Sequence, residues 1–229
     1  EIVLGIDNIL FISIITDDLE PKAQKKARNI GLSIALILRL ALLSVVSLLM
    51  QLTDPIFTIF NTPLSAQSII LLFGGLFLIY KSVSEMHKSI SHEHESESKK
   101  KKGLINIIGQ IVIIDLVFSF DSIISAVGMT NGVGSETNAD PIAIIVFAIV
   151  ISMIIMIIFA KQISDFITNN PTIKMIALSF LVAVGILLIS EAFGQHFPKG
   201  YIYFALAYAL FVEMLNIRMR KNKLKNGSK

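Results

Sequence analysis

At 229 residues, with a mean hydropathy of +0.74 and only 16% charged side chains, the chain is far less polar than a soluble domain, which averages about a quarter charged. With no cysteine it has no disulfide, thiolate metal site or cysteine nucleophile, and a formal charge of +3 gives no ground for a nucleic-acid partner. The apolar residues fall in runs of roughly twenty, the length that crosses a hydrocarbon layer of about 30 Å, so the expected class is an all-α, polytopic membrane protein whose surroundings are a lipid bilayer.

In chain order the apolar segments are 1–16, 29–50, 66–84, 104–129, 142–160, 173–193 and 201–217, which predicts seven transmembrane helices in a single transmembrane domain over 1–229. The chain does not open on Met and its first run is short, so upstream residues belonging to the first helix are expected. Asp54-Pro55, Asn61-Thr62-Pro63, Asp140-Pro141, Asn169-Asn170-Pro171 and Pro198-Lys199-Gly200 punctuate the runs. A polar, low-complexity stretch over 86–102 reads as a disordered linker. Its His87, His92 and His94, with Glu93, Glu95 and Glu97, offer a metal-collecting set, although a solvated connection is the simpler reading.

Basic residues set the orientation. The connection after the first run carries Lys22, Lys25, Lys26 and Arg28, the third carries Lys88 and Lys99 to Lys102, and the basic tail 218–229 carries six more. Connections 51–65 and 130–141 hold no Lys or Arg, and the sixth holds Lys199 alone. This alternation predicts the N-terminus outside and the C-terminus in the cytoplasm.

Two runs contain carboxylates in matching order. EIVLGIDN at the start and DLVFSFDS from Asp115 to Ser122 pair Glu1 with Asp115, Asp7 with Asp121 and Asn8 with Ser122. Asn61-Thr62-Pro63 echoes Asn169-Asn170-Pro171, and Gly75 and Gly185 are each followed six residues later by a charged residue, Lys81 and Glu191. Repeat one is thus 1–84, repeat two 103–193, and the seventh helix 201–217 is left over. Three spans per unit make this an inverted 3+3 repeat, an architecture that sets substrate sites between the halves near the midplane.

A carboxylate at bilayer depth costs a few kcal/mol, so four of them require a compensating partner. At about 100° per residue, Asp115, Ser119 and Ser122 share a helix face while Asp121 is turned about 120° away. Either the helices line a broad wet cavity or they unwind near Gly5 and Ser119, freeing carbonyls. Carboxylates, the Asn8 amide and the Ser122 hydroxyl form an all-oxygen set suited to hard divalent cations such as Mg²⁺, Ca²⁺ or Mn²⁺. The competing reading has Arg39 and Lys81 neutralising the acids as buried ion pairs, but two bases cannot balance Glu1, Asp7, Asp115, Asp121, Glu191 and Glu213. Glu191, Glu213 and Asn216 are further candidates on the ion path, His196 reads as a surface residue, and Gly74-Gly75 as a site of close helix packing. An intramembrane aspartyl protease is the enzymatic rival. The chain has no Gly-x-Gly-Asp loop for it, so no enzymatic activity is expected.

EIVLGIDNILFIS, DLVFSFDSIISAVGM, PTIKMIALSFL and PKGYIYFALAYALFVEMLN together resemble the TerC family of integral membrane proteins over nearly the whole chain. The resemblance implies a multi-pass protein of the bacterial inner membrane, linked to tellurium resistance by name and to manganese export by function. Its acidic motif residues fall on Glu1, Asp7, Asn8, Asp115, Asp121 and Ser122. Mn²⁺ is thereby the implied bound or transported ion. Export of a divalent cation against an inside-negative potential, through repeated acids in a chain with no ATPase motif, predicts exchange for protons. Metal loading, or assembly and insertion of other proteins, is an alternative role, as is tellurite resistance without transport. Oligomeric state is not specified by the sequence.

Overall fold

A computed structural model describes residues 5–17, 19–45, 55–59, 62–91, 103–130, 141–195 and 197–226. Helix α1 (Gly5–Thr16) is followed by α2 (Pro21–Ser44), a short hairpin of β1 (Pro55–Ile59) and β2 (Thr62–Ser65), then α3 (Ala66–Ile90), α4 (Leu104–Thr130), α5 (Pro141–Thr168), α6 (Pro171–Ala192) and α7 (Gly200–Asn226). Apart from the antiparallel hairpin, which pairs Phe57 with Leu64 and Ile59 with Thr62, the described chain is helical, as its apolar runs predict.

Local chemistry accounts for several boundaries. Proline opens α2 and α6, where a missing N–H costs nothing. Ser65 caps α3: its Oγ accepts from the Ser68 N–H at 3.1 Å while Ser68 Oγ accepts from the Ser65 N–H at 3.3 Å. Four helices outrun their apolar segments: α2 starts at Pro21, ahead of residue 29, and α5 runs past residue 160 to Thr168. α3 continues to Ile90, into the first residues of the expected linker, and α7 continues through the basic stretch to Asn226. Lys and Arg are good helix formers and are favoured in a last turn, so the end of the apolar run does not end the helix. The rest of the linker, with His92 and His94, lies outside the described residues.

Six of the helices are long and apolar enough to span a membrane, and α1 is a shorter apolar helix of 12 residues. The shortest helix is also the most enclosed. Ile9, Leu10, Phe11, Ile12, Ile14 and Ile15 are all buried, and α1 contacts α2, α4, α5 and α6. A helix with apolar residues on every face belongs inside a bundle. The most extensive helix pairing joins α3 to α6, while α2 packs on α4 and α5, and α7 lies against α6. α7 turns Tyr201, Phe204, Tyr208 and Phe211 outward.

The α3–α6 pairing rests on glycine. A Cβ built on Gly75 would lie 2.7 Å from the Gly185 carbonyl oxygen and 2.8 Å from the Ile189 side chain. One on Gly185 would lie 3.0 Å from the Gly75 carbonyl oxygen and 2.7 Å from Ile79. Each glycine thus meets the other and the isoleucine four residues beyond it. Lipid is as apolar as leucine, so helices in a membrane associate through such close packing rather than by hiding apolar surface from water. Gly74 meets Val117 of α4 in the same way, so the expectation of close packing at this glycine pair holds for both residues.

Candidate functional site

Two polar clusters interrupt the apolar interior. The first is closed. From α2, Arg39 donates through Nη2 to Asp115 Oδ1 at 3.0 Å and through Nε to Ser119 Oγ at 2.9 Å. Ser119 Oγ donates to Asp115 Oδ2 at 3.1 Å, and Asn8 Nδ2 of α1 donates to Asp115 Oδ1 at 2.8 Å. Three donors therefore satisfy a single carboxylate, and all four side chains are buried. A charge held this far from water persists only with such a partner and such hydrogen bonds. The competing ion-pair reading is realised here for Arg39. Lys81 lines a second, more apolar cavity with Ser82 and Glu85 of α3.

The second cluster lines a cavity of about 460 Å³, its open mouth included, walled by α4, α6 and α7. Its polar residues are Asp7, Arg39, Asp121, Ser122, Lys199 and Tyr203. The 120° turn between Asp115 and Asp121 is what separates the clusters: Asp115 faces α1 and α2, while Asp121 faces the start of α7. Lys199, in the turn before α7, forms an ion pair with Asp121 and lies 3.5 Å from Glu191 Oε1 near the end of α6. Tyr203, one turn into α7, donates from its hydroxyl to Asp7 Oδ2 at 2.9 Å, and its ring packs on Phe180 with centroids 5.7 Å apart. Burial alone would depress the Lys199 pKa; Asp121 first, then Glu191, outweigh it, so the ammonium is held above its usual range.

Some oxygens are left over. Among the described residues, Asp7 Oδ1, Asn8 Oδ1 and Glu191 Oε2 are buried without a hydrogen-bond partner, and Asp7 is only 3% exposed. An unsatisfied buried oxygen of this kind is rare and calls for a ligand, ion or water. Equally, no three Asp, Glu or His side chains among the described residues stand close enough to hold a metal as they are arranged. The Lys199 ammonium pairs with both Asp121 and Glu191, and Arg39 pairs with Asp115.

The candidate residues thus divide. Asp7, Asp121 and Ser122 share the cavity and Glu191 joins it through Lys199, whereas Asn8 and Asp115 belong to the closed cluster. Ser122 Oγ donates to the Ser119 carbonyl at 3.2 Å. Glu213 and Asn216 bond to each other at 3.2 Å and do not line the cavity. Glu1 and His196 lie outside the described residues. Of the two alternatives, a cavity or unwinding, the helix near Ser119 does not unwind: α4 is one helix from Leu104 to Thr130, and the Ser119 hydroxyl bonds to Asp115 and Arg39 rather than to its own backbone. Sequence reasoning missed Lys199 and Tyr203 as site residues. The available signal was that Lys199 is the single base in its connection.

A model of the integral membrane protein TerC family matches residues 1–227. The chain belongs to the TerC family. This TerC chain is 47% identical over 223 residues to a UPF0053 protein of Haemophilus influenzae, covering 96% of this chain and 90% of that one. It is 45% identical over 225 residues to the UPF0053 inner membrane protein YgdQ of Escherichia coli, covering 98% and 91%. To the UPF0053 inner membrane protein YoaE of the same species it is 41% identical over 231 residues, and there it spans only 43% of the relative's length. No solved structure matches the chain. With its membrane-length helices, this member of the TerC family is a multi-pass integral membrane protein.

Proposed function

We propose that this TerC-family protein is a secondary transporter that exports a divalent metal cation, Mn²⁺, in exchange for protons, from the cytoplasm across the bacterial inner membrane. The observation that carries this reading is the Asp7 carboxylate, buried on the wall of a cavity it shares with Asp121, with one oxygen unpartnered among the described residues. Asp7, Asp121, Ser122 and Glu191 form the substrate's oxygen set, which suits a hard or borderline divalent ion. In this reading Asp115 and Asn8 shape the site from behind through Arg39, and Glu213 with Asn216 lies further along the ion's route. The inner-membrane location is supported by the names of two relatives.

The two halves are read as an inverted repeat. The reciprocal approach of Gly75 and Gly185, and the matched pairings of α1 with α5 and α2 with α4, support that reading. Orientation, with the N-terminus outside and the C-terminus in the cytoplasm, is supported by the clustering of Lys and Arg in alternate connections. Moving a doubly charged ion outward against an inside-negative potential costs about 4.6 kcal/mol per 100 mV, twice the single-charge value, so an inward proton current is the coupled driving force.

The test compares growth and cell metal content under Mn²⁺, Ca²⁺, Zn²⁺ and tellurite for the wild type and for Asp7→Asn and Asp121→Asn, with efflux from vesicles under an imposed pH gradient. The expected result is Mn²⁺ accumulation and sensitivity in both variants, and wild-type efflux that follows the gradient. Efflux indifferent to pH removes the proton coupling. Unchanged metal content with altered tellurite tolerance, or copurification of a translocase with no metal phenotype, replaces transport by the resistance or assembly role.

A further inference from the structure

The cavity has two bases of opposite character. Arg39 is 2% exposed and fixed by its bonds to Asp115 and Ser119. Lys199 is different: its side chain is 22% exposed, it sits in a Pro198-Lys199-Gly200 turn at the mouth of the bundle, and a flexible four-carbon stem carries its charge. Its partners are the two carboxylates nearest that mouth, Asp121 of α4 and Glu191 of α6. Counting Asp7, three carboxylates face this one ammonium, and among the described residues Asp7 and Glu191 each retain a buried oxygen with no partner.

We infer that Lys199 is a tethered counter-cation: its ammonium occupies the place that the transported metal takes between Asp121 and Glu191, and the two exclude one another during each cycle. The inference rests on the transport reading above. A divalent metal and an ammonium repel strongly at contact distance in a site shielded from water, so an arriving metal displaces the ammonium toward the open mouth, where water receives it. When the metal leaves, the ammonium returns. That return matters because an empty cluster of acids inside a bilayer is costly to carry across; the ammonium cancels one of the three negative charges, and the inward protons of the exchange cancel the rest. Lys199 therefore weakens cation binding and, in compensation, helps the protonated, metal-free carrier reorient.

This separates two quantities that a merely structural tie would change together. In full-length protein reconstituted into vesicles, Lys199→Met is expected to bind Mn²⁺ at least tenfold more tightly than wild type. It should retain Mn²⁺–Mn²⁺ tracer exchange and lose at least tenfold in net efflux, while Lys199→Arg keeps net efflux within a few-fold. A parallel measurement on unaltered protein needs no variant: Mn²⁺ should raise labelling of Lys199 by an amine-reactive reagent at least threefold, read by mass spectrometry. Unchanged or weaker affinity in Lys199→Met, an equal fall in exchange and net flux, or labelling indifferent to Mn²⁺ overturns the inference while leaving a cation site in place. Wild-type protein that neither binds nor exchanges Mn²⁺, Mg²⁺, Ca²⁺ or Zn²⁺ overturns the transport reading and this inference together.

Discussion

Arg39 and Asp115 meet 3.0 Å apart in the interior of the bundle, 76 residues apart in sequence, and neither is more than 3% exposed. Replacing Asp115 by Asn removes the carboxylate from a buried ion pair, a loss on the order of 3–5 kcal/mol. Thermal unfolding in detergent should show Asp115→Asn strongly destabilised, with Arg39→Gln/Asp115→Asn recovering more than half of the loss. Equal stability of Asp115→Asn and wild type would show that Arg39 needs no counter-charge there.

Tyr203→Phe removes the hydroxyl that holds Asp7 while keeping the ring against Phe180. A hydrogen bond to a charged group is worth about 1.5–3 kcal/mol, so Mn²⁺ affinity in the purified protein should fall by roughly tenfold or more. Helix packing should be unaffected. Tighter binding would show instead that the hydroxyl competes with the cation for Asp7.

At the α3–α6 crossing, Gly75→Ala and Gly185→Ala should each cost about 1–3 kcal/mol, because the added methyl meets backbone oxygen or isoleucine at no more than 3.0 Å. Gly109→Ala in α4 is the control: nothing lies within 4 Å of its Cβ position, and a helix prefers alanine by up to about 1 kcal/mol. Thermal unfolding of the three variants checks this, and equal behaviour at all three positions would remove the close-approach argument.

With no native cysteine, the chain is already a background for topology mapping. Cysteines at the exposed positions Ser91 and Gln195 should react with a membrane-impermeant thiol reagent from opposite sides, Gln195→Cys from outside in intact cells and Ser91→Cys only after lysis. The reverse pattern would invert the proposed orientation and place the Lys199 mouth on the cytoplasmic side.

Much of this was legible because a bilayer writes a coarse code. Spanning lengths, the proline that opens α6, and close packing at Gly74-Gly75 follow from composition and spacing alone, since lipid demands long apolar runs and small residues where helices touch. Helix period likewise separated Asp115 from Asp121 by about a third of a turn, and they do face different neighbours.

What the chain's order of residues determined by itself is the membrane class, the runs that cross and the acids set among them, because each depends on residues close together in sequence. Which base meets which acid was decided only in three dimensions. Arg39 reaches Asp115 because α2 packs on α4, and Lys199 lies 78 residues from the Asp121 it neutralises. Spacing along a helix fixes the angle between two side chains but not which neighbouring helix stands at that angle. Charge compensation in an apolar interior depends on that neighbour.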